Sequence, residues 1–312
     1  LEIAISRRDP TRPPRTFAEW IDTTYGEGIA SLFMRDYNAK VWGYPLDEIG
    51  VGWMDDRVAL PSIDRHRHSV AHQETDAPWG PNRTFRFPLE GGTGAIWTGV
   101  AGMLPSHTVD YGARVVGVDH VAHRVQLADG RRLDYDALVS TIPLDQLCGF
   151  LSALPSQVRH AASRLRHSAV HIVGLGLRHP QPEALARKCW IYFPDPASPY
   201  YRATVFSNYS PRNVPGEDYW SLMAEVCESP TKPVDHGAIV AEVIAALGRD
   251  GLLPRDASIV SRWHRREEYG YPTPFIGRDE VLTTIRCELE SHRIFSRGRF
   301  GAWKYEVSNQ DH

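Results

Sequence analysis

The sequence has 312 residues, 42% of them hydrophobic and 23% charged, with a net charge of −3 at pH 7. This is the balance of a globular protein with a sizeable core in one large domain or two, and it argues against a nucleic-acid partner. Its apolar runs fall far short of a membrane span, no signal peptide is visible, and four scattered cysteines without a C-x-x-C exclude a disulfide scaffold, so a reducing cytoplasm is expected.

Leu1 to Pro14 reads as the last turns of a helix running into a Pro-rich linker. Thr16-x-x-Glu19 is a capping box that opens a helix through Trp20. Tyr25-Gly26 interrupts it, and a second helical stretch from Gly28 to Tyr37 carries Ile29, Leu32 and Phe33 on one face. Residues 1–50 are therefore predicted to be helical. From Val51 to Thr84 the chain has no period and is dense in Pro, Gly and Trp, the composition of functional loops. His66, His68 and His72 alternate there without a carboxylate or cysteine pattern, so they read as surface residues and no metal site is expected. The period turns to two at Thr84 through TFRFPLE. Gly91-Gly92-Thr93-Gly94 then opens a helix with Ile96, Trp97, Val100 and Leu104. Such a turn offers free N–H groups to an anion or a cofactor carbonyl, or serves only to let closely packed backbones cross.

Val115–Val118 and Val125–Leu127 alternate, Asp129-Gly130 makes a tight turn, and Leu133–Leu138 returns. A buried strand is predicted over Tyr135–Pro143, and an amphipathic helix over Ser156–His167. The stretch VHIVGLGL at 170–177 imitates a dinucleotide fingerprint. His179 stands where the third glycine belongs and Pro180 follows, so a strand is predicted instead. CWIYFPD and PYYRATVFSNYSP read as alternating strands rich in Trp and Tyr around one arginine, Arg202, which needs an anionic partner if buried. A strand over Trp220–Cys227 leads to a helix over Asp235–Leu247 ended by Gly248. Strand Ile259–Trp263 precedes a rigid aromatic turn, Tyr269–Pro274, and a last helix is marked by Val281, Leu282, Ile285 and Leu289.

The stretch SRGRFGAWKYEVSNQDH, 296–312, combines many hydrogen-bond donors with little aliphatic material. Local composition leaves two readings open. One is a solvated basic tail; the other is an arginine fork that meets a buried diphosphate or flavin edge beside Phe300, Trp303 and Tyr305.

Several stretches together carry a family likeness: FMRDYNAKVWGYP, RVALP, WGPNRTFRFPLEGGTGAIW, KCWIYFPD, YYRATVFSNYSP, YGYPTP and SRGRFGAWKYEVSNQDH. The chain resembles the eukaryotic-type UDP-galactopyranose mutases, flavoenzymes of the amine-oxidase-like FAD superfamily, through nearly all of its length. The family begins with a strand, G-x-G-x-x-G and helix for the FAD diphosphate. No such motif occurs here, and both ends of the chain read as cut, so weak or no FAD binding by this stretch alone is expected.

The resemblance implies a mixed α+β, α/β fold. It comprises a helical segment (1–50), a substrate-side antiparallel sheet with loops (51–85 and 168–275) and pieces of the FAD-binding domain (86–167 and 276–312). It also implies interconversion of UDP-galactopyranose and UDP-galactofuranose through a sugar adduct on N5 of reduced FAD, with a reductant such as NADPH, and it allows a homo-oligomer. Arg57 and Arg202 would neutralise the departing diphosphate, with Tyr192, Tyr271 and Tyr305 adding hydroxyls and Tyr209 also contacting the substrate. Phe33 and Asn38 would line the uridine end, Asn82 the sugar, and Trp190 the wall. Gly91, Gly92, Thr93, Gly94 and Arg299 would face the flavin, with Gln310 nearby. The alternatives are another FAD-dependent oxidoreductase on the same scaffold and a non-catalytic nucleotide-sugar-binding piece.

Overall fold

The computed structural model describes residues 12–54, 68, 71–72 and 85–305. Its first elements are α1 (Phe17–Ile29), a π-helical turn (Ala30–Met34), α2 (Arg35–Trp42) and α3 (Gly94–Gly102). Next come β1 (Val115–Asp119), β2 (Arg124–Leu127), β3 (Arg132–Asp134), β4 (Leu138–Ser140), α4 (Leu144–Phe150) and α5 (Ser156–Ser163). The remainder is β5 (His167–Arg178), β6 (Trp190–Tyr192), β7 (Arg202–Val205), β8 (Tyr219–Glu228), α6 (Ile239–Arg249), β9 (Ile259–Pro272), α7 (Arg278–Ser291) and β10 (Ile294–Ser296). These fall into two compact units, Leu1–Val100 with Ala169–Glu268, and Ala101–Ser168 with Tyr269–His312.

The first unit is built on a five-stranded sheet of order β6-β7-β8-β5-β9, in which β6, β7, β8 and β5 run antiparallel to their neighbours. Side chains alternate across a strand, so one face collects Val173, Leu175, Leu177, Ala203, Val205, Trp220, Leu222 and Ala224. Helix α6 covers that face with Ile239, Val243, Ala246 and Leu247, all at 1% exposure or less. A side chain such as Val243 contributes about 1.5–3 kcal/mol when fully buried.

Gly174 and Gly176 have a packing role on the other face. A Cβ at Gly174 would lie 3.6 Å from the Trp263 ring, and one at Gly176 would strike Ser261. The two glycines of the false fingerprint make room for β9.

Helix α1 starts as predicted, with Thr16 Oγ1 accepting from Glu19 N and the Glu19 carboxylate accepting from Thr16 N. Gly26, at φ 72° and ψ 165°, is the break, and Gly43 at φ 69° ends α2. Lys40 ties α2 to the β6 edge by donating Nζ–H to Phe193 O (2.8 Å) and Asp195 O (2.7 Å). Ser229 and Thr231 both donate to Gly43 O.

The second unit has the antiparallel meander β1-β2-β3 and a parallel pair, β4 with β10. Its core gathers Val125 and Leu127, Leu144 and Leu147, Val158, Val281, Leu282, Ile285, Ile294 and Trp303. All four cysteines are free thiols.

Several expected elements differ. Residues 85–88 form no strand, although Phe85 and Phe87 both turn a ring onto Tyr209. The strand predicted over Tyr135–Pro143 shortens to β4, where Leu138 and Ser140 turn inward and Val139, on the alternate face, is 66% exposed. Helix α5 stops at Ser163, since His167 already begins β5. Helix α6 passes through Gly248 to Arg249, and Gly251, at φ 74°, takes the left-handed position instead. The aromatic turn at Tyr269–Pro272 is the end of a continuous strand, β9, which extended backbone with Tyr at alternate positions suits as well as a turn.

Candidate functional site

In the first unit Trp190, Tyr192 and Arg202 lie on the sheet face opposite α6. Register puts Tyr192, Arg202 and Glu225 in one row across β6, β7 and β8, with Trp190 opposite Thr204 in a neighbouring row. Arg202 is held by a bidentate pair: Nε to Glu225 Oε2 at 2.5 Å and Nη2 to Glu225 Oε1 at 2.8 Å. Glu225 is 12% exposed and Arg202 27%, so the pair is largely withdrawn from water and its fork is ordered. The anionic partner that a buried Arg202 requires is therefore Glu225. Sequence reasoning passed over this residue because it sits inside the plain alternation of WSLMAEV.

A wall of rings adjoins the arginine. Trp190 lies 5.6 Å from Tyr209 and 4.9 Å from Phe85, and Tyr209 lies 5.0 Å from Phe85. Burial pushes the Tyr209 hydroxyl well above its ordinary range, so it stays protonated at any working pH. At the other end Tyr192 meets Tyr37 edge-on at 5.5 Å, and Tyr37 stacks on Phe33 at 5.0 Å. Phe33 projects from the π-helical turn, a local widening that often marks functional positions. Asn38 is buried, and its amide donates to Met34 O, at the end of the π-helical turn, at 2.7 Å. Gly91 (φ 78°) and Gly92 (φ 63°) make the left-handed turn before Thr93 and α3.

In the second unit Arg299 lies over two rings, 5.4 Å from the Tyr305 centroid and 5.8 Å from that of Tyr271, and the two tyrosines are 5.4 Å apart. Trp303 anchors this stretch. It is fully buried, at φ 54°, and donates Nε1–H to Arg166 O. Up to Tyr305, then, the last stretch is a packed turn and not a solvated tail. Gly301 is required by close approach, since a Cβ there would sit on the Arg297 carbonyl. Arg57, Asn82 and Gln310 lie outside the described residues.

The flavin implied by the resemblance suits what each unit presents. A Cβ at Gly94 would meet nothing within 4 Å among the described residues, so the glycine turn has an open side there. The helix it opens exposes Ile96, Trp97 and Val100, a surface that matches an apolar ring system. Arg299 between two tyrosines offers a planar cation to an electron-rich edge. Away from these residues, an open groove of about 560 Å³ runs past His179, Asn208, Arg212 and Tyr219. None of the predicted residues that the structure describes lines it.

Residues 15–286 match the model of the flavin containing amine oxidoreductases. Among solved structures the chain is similar to a reduced UDP-galactopyranose mutase, with 42% identity and a TM-score of 0.94, covering 99% of this chain and 67% of that one. An oxidoreductase from Methanosarcina mazei (14% identity, TM-score 0.57, 88% of this chain and 64% of that one) shares the fold. So does a CLA-producing fatty acid isomerase from P. acnes, at 12% identity and TM-score 0.57, covering 90% and 60%.

Proposed function

The chain belongs to the flavin containing amine oxidoreductase family and, within it, to the UDP-galactopyranose mutases, and from that premise we propose that the protein interconverts UDP-galactopyranose and UDP-galactofuranose on reduced FAD. The observation that supports it best is Arg202: a guanidinium ordered on a strand, beside a wall of rings, on a sheet face that α6 leaves open. The reaction separates a diphosphate from the anomeric carbon, and negative charge grows on the leaving oxygens. An arginine already fixed by Glu225 stabilises that charge without reorganising.

Glu225 takes the Nε edge of the fork, so the diphosphate meets the outer edge. Tyr192 and Tyr209 add hydroxyl donors from the same face, Trp190 shapes the wall, and Phe33 with Tyr37 stacks toward the uracil end. Arg57 and Asn82 complete the phosphate and sugar contacts in this proposal. Tyr271 and Tyr305 are assigned hydroxyl contacts to the substrate, and Arg299, Gly91–Gly94 and Gln310 contacts to the cofactor. Reduced FAD, when bound, supplies the electron-rich centre that exchange at the anomeric carbon requires, and a reductant such as NADPH keeps it reduced. No helix among the described residues is long and apolar enough to cross a membrane, and the free thiols suit a cytoplasmic enzyme. The test is conversion of UDP-galactofuranose by protein loaded with FAD, with and without dithionite, followed by chromatography. Turnover only in the reduced state is expected; equal rates in both states, or none in either, would overturn the proposal.

A further inference from the structure

Among the described residues, two groups of metal-ligating side chains lie apart from the residues assigned above. In the first unit His171, Glu228 and His236 converge, but this cluster is internally satisfied. His171 Nε2 and His236 Nε2 each lie 2.9 Å from a Glu228 oxygen, and Arg266 Nε also donates to that carboxylate. A guanidinium already neutralises the acid, and a cation has little to gain there.

The second group differs in each respect. His120 follows β1, and Glu288 and His292 are four residues apart at the end of α7, on one face of the helix. One donor atom from each of the three lies within 4.8 Å of the other two. His292 Nε2 stands 3.4 Å from Glu288 Oε1. That is long for a hydrogen bond, but two ligands about 2.0–2.1 Å from one tetrahedral ion sit about 3.3–3.4 Å apart. His120 is 4% exposed, and its Nδ1 has no hydrogen-bond partner among the described residues, a state that buried imidazole nitrogens rarely keep. The cluster also sits at a helix C-terminus, where the peptide dipoles favour positive charge.

We propose that His120, Glu288 and His292 form a binding site for a divalent ion of the zinc class, with solvent as fourth ligand. Two imidazoles and one carboxylate suit zinc or cobalt and are too poor in oxygen for calcium or magnesium. Glu288 and His292 are about a quarter exposed, which gives the ion a path in and room for the water. The ion would clamp the turn after β1 to the end of α7, a fastening within the second unit that is separate from the proposed reaction.

Chelator-treated protein titrated with Co²⁺ tests this. One equivalent should bind with visible d–d absorption of a four-coordinate centre, and Zn²⁺ should displace it. His292→Ala and Glu288→Gln should each weaken binding at least tenfold. Both positions are partly exposed, so the variants should keep the native circular dichroism spectrum. His236→Ala should leave the titration unchanged. Absence of a stoichiometric Co²⁺ signal, or a signal that survives His292→Ala and Glu288→Gln, would overturn the proposal. So would loss of the signal in His236→Ala alone, which would place the ion at the other cluster.

Discussion

Replacing Arg202 has two separable consequences, and the structure sets the size of each. Arg202→Ala removes both charge-assisted bonds to Glu225 and leaves that carboxylate, 12% exposed, without them. Breaking a buried pair costs about 3–5 kcal/mol; with Arg202 about a quarter exposed, the low end, about 3 kcal/mol of folding stability, is expected. On the proposed function, the outer edge of the fork would make up to two charge-assisted bonds to the leaving diphosphate, each about 1.5–3 kcal/mol. A loss of roughly 3–5 kcal/mol in transition-state stabilisation, on the order of a thousandfold in kcat/KM, follows. Arg202→Lys keeps the charge but cannot serve Glu225 and the diphosphate together, so it should stay at least about a hundredfold impaired. Glu225→Gln leaves the arginine in place with a weaker hold, and about a tenfold loss is expected, falling on kcat. The assay is steady-state kinetics on dithionite-reduced enzyme, with urea denaturation of each variant to separate folding from catalysis. Near-full efficiency of Arg202→Lys, or a loss below tenfold in Arg202→Ala, would refute the diphosphate assignment and leave the arginine a structural partner of Glu225.

Burial, with Lys232 nearby, lowers the Lys40 ammonium from 10.5 to about 8. The unfolded chain therefore holds the proton more tightly between those values, and the contribution of Lys40 to stability rises with pH across that window by at most about 3 kcal/mol. Denaturation of the wild type against Lys40→Met at pH 7 and pH 10.5 should show the difference shifting in favour of the wild type; a flat difference would contradict the assignment. Gly301→Ala places a Cβ on the Arg297 carbonyl and should cost about 3 kcal/mol or more, read as a lowered urea midpoint. Burial pushes the Cys148 thiol up to about 12, while Cys287 is exposed. Ellman's reagent at pH 8 should label Cys287 quickly and Cys148 only after unfolding, and Cys287→Ser should remove the fast phase.

Local signals carried much of the fold. The Thr16–Glu19 capping box, the Gly26 break, the Asp129-Gly130 hairpin turn and the alternation of β5 and β8 are short-range patterns. A few adjacent residues decide each of them, so they were legible before any packing was known. The same holds for rejecting Gly174-x-Gly176 as a dinucleotide loop, although only the sheet shows that these glycines admit Trp263 and Ser261. Strand ends were less legible. Tyr269–Pro272 continues β9, and residues 85–88 stay irregular, because pairing partners distant in sequence decide where a ladder stops.

The site divides in the same way. Arg202 among its rings stood out from composition and family likeness. Its tie to Glu225 depends on the β7–β8 register, and the meeting of His120 with Glu288 and His292 joins residues about 170 apart in sequence. Chemistry written in residue type and close spacing is determined by the chain alone. Which charges neutralise one another is decided only when strands and helices bring distant side chains within a few ångströms, where burial strengthens each interaction.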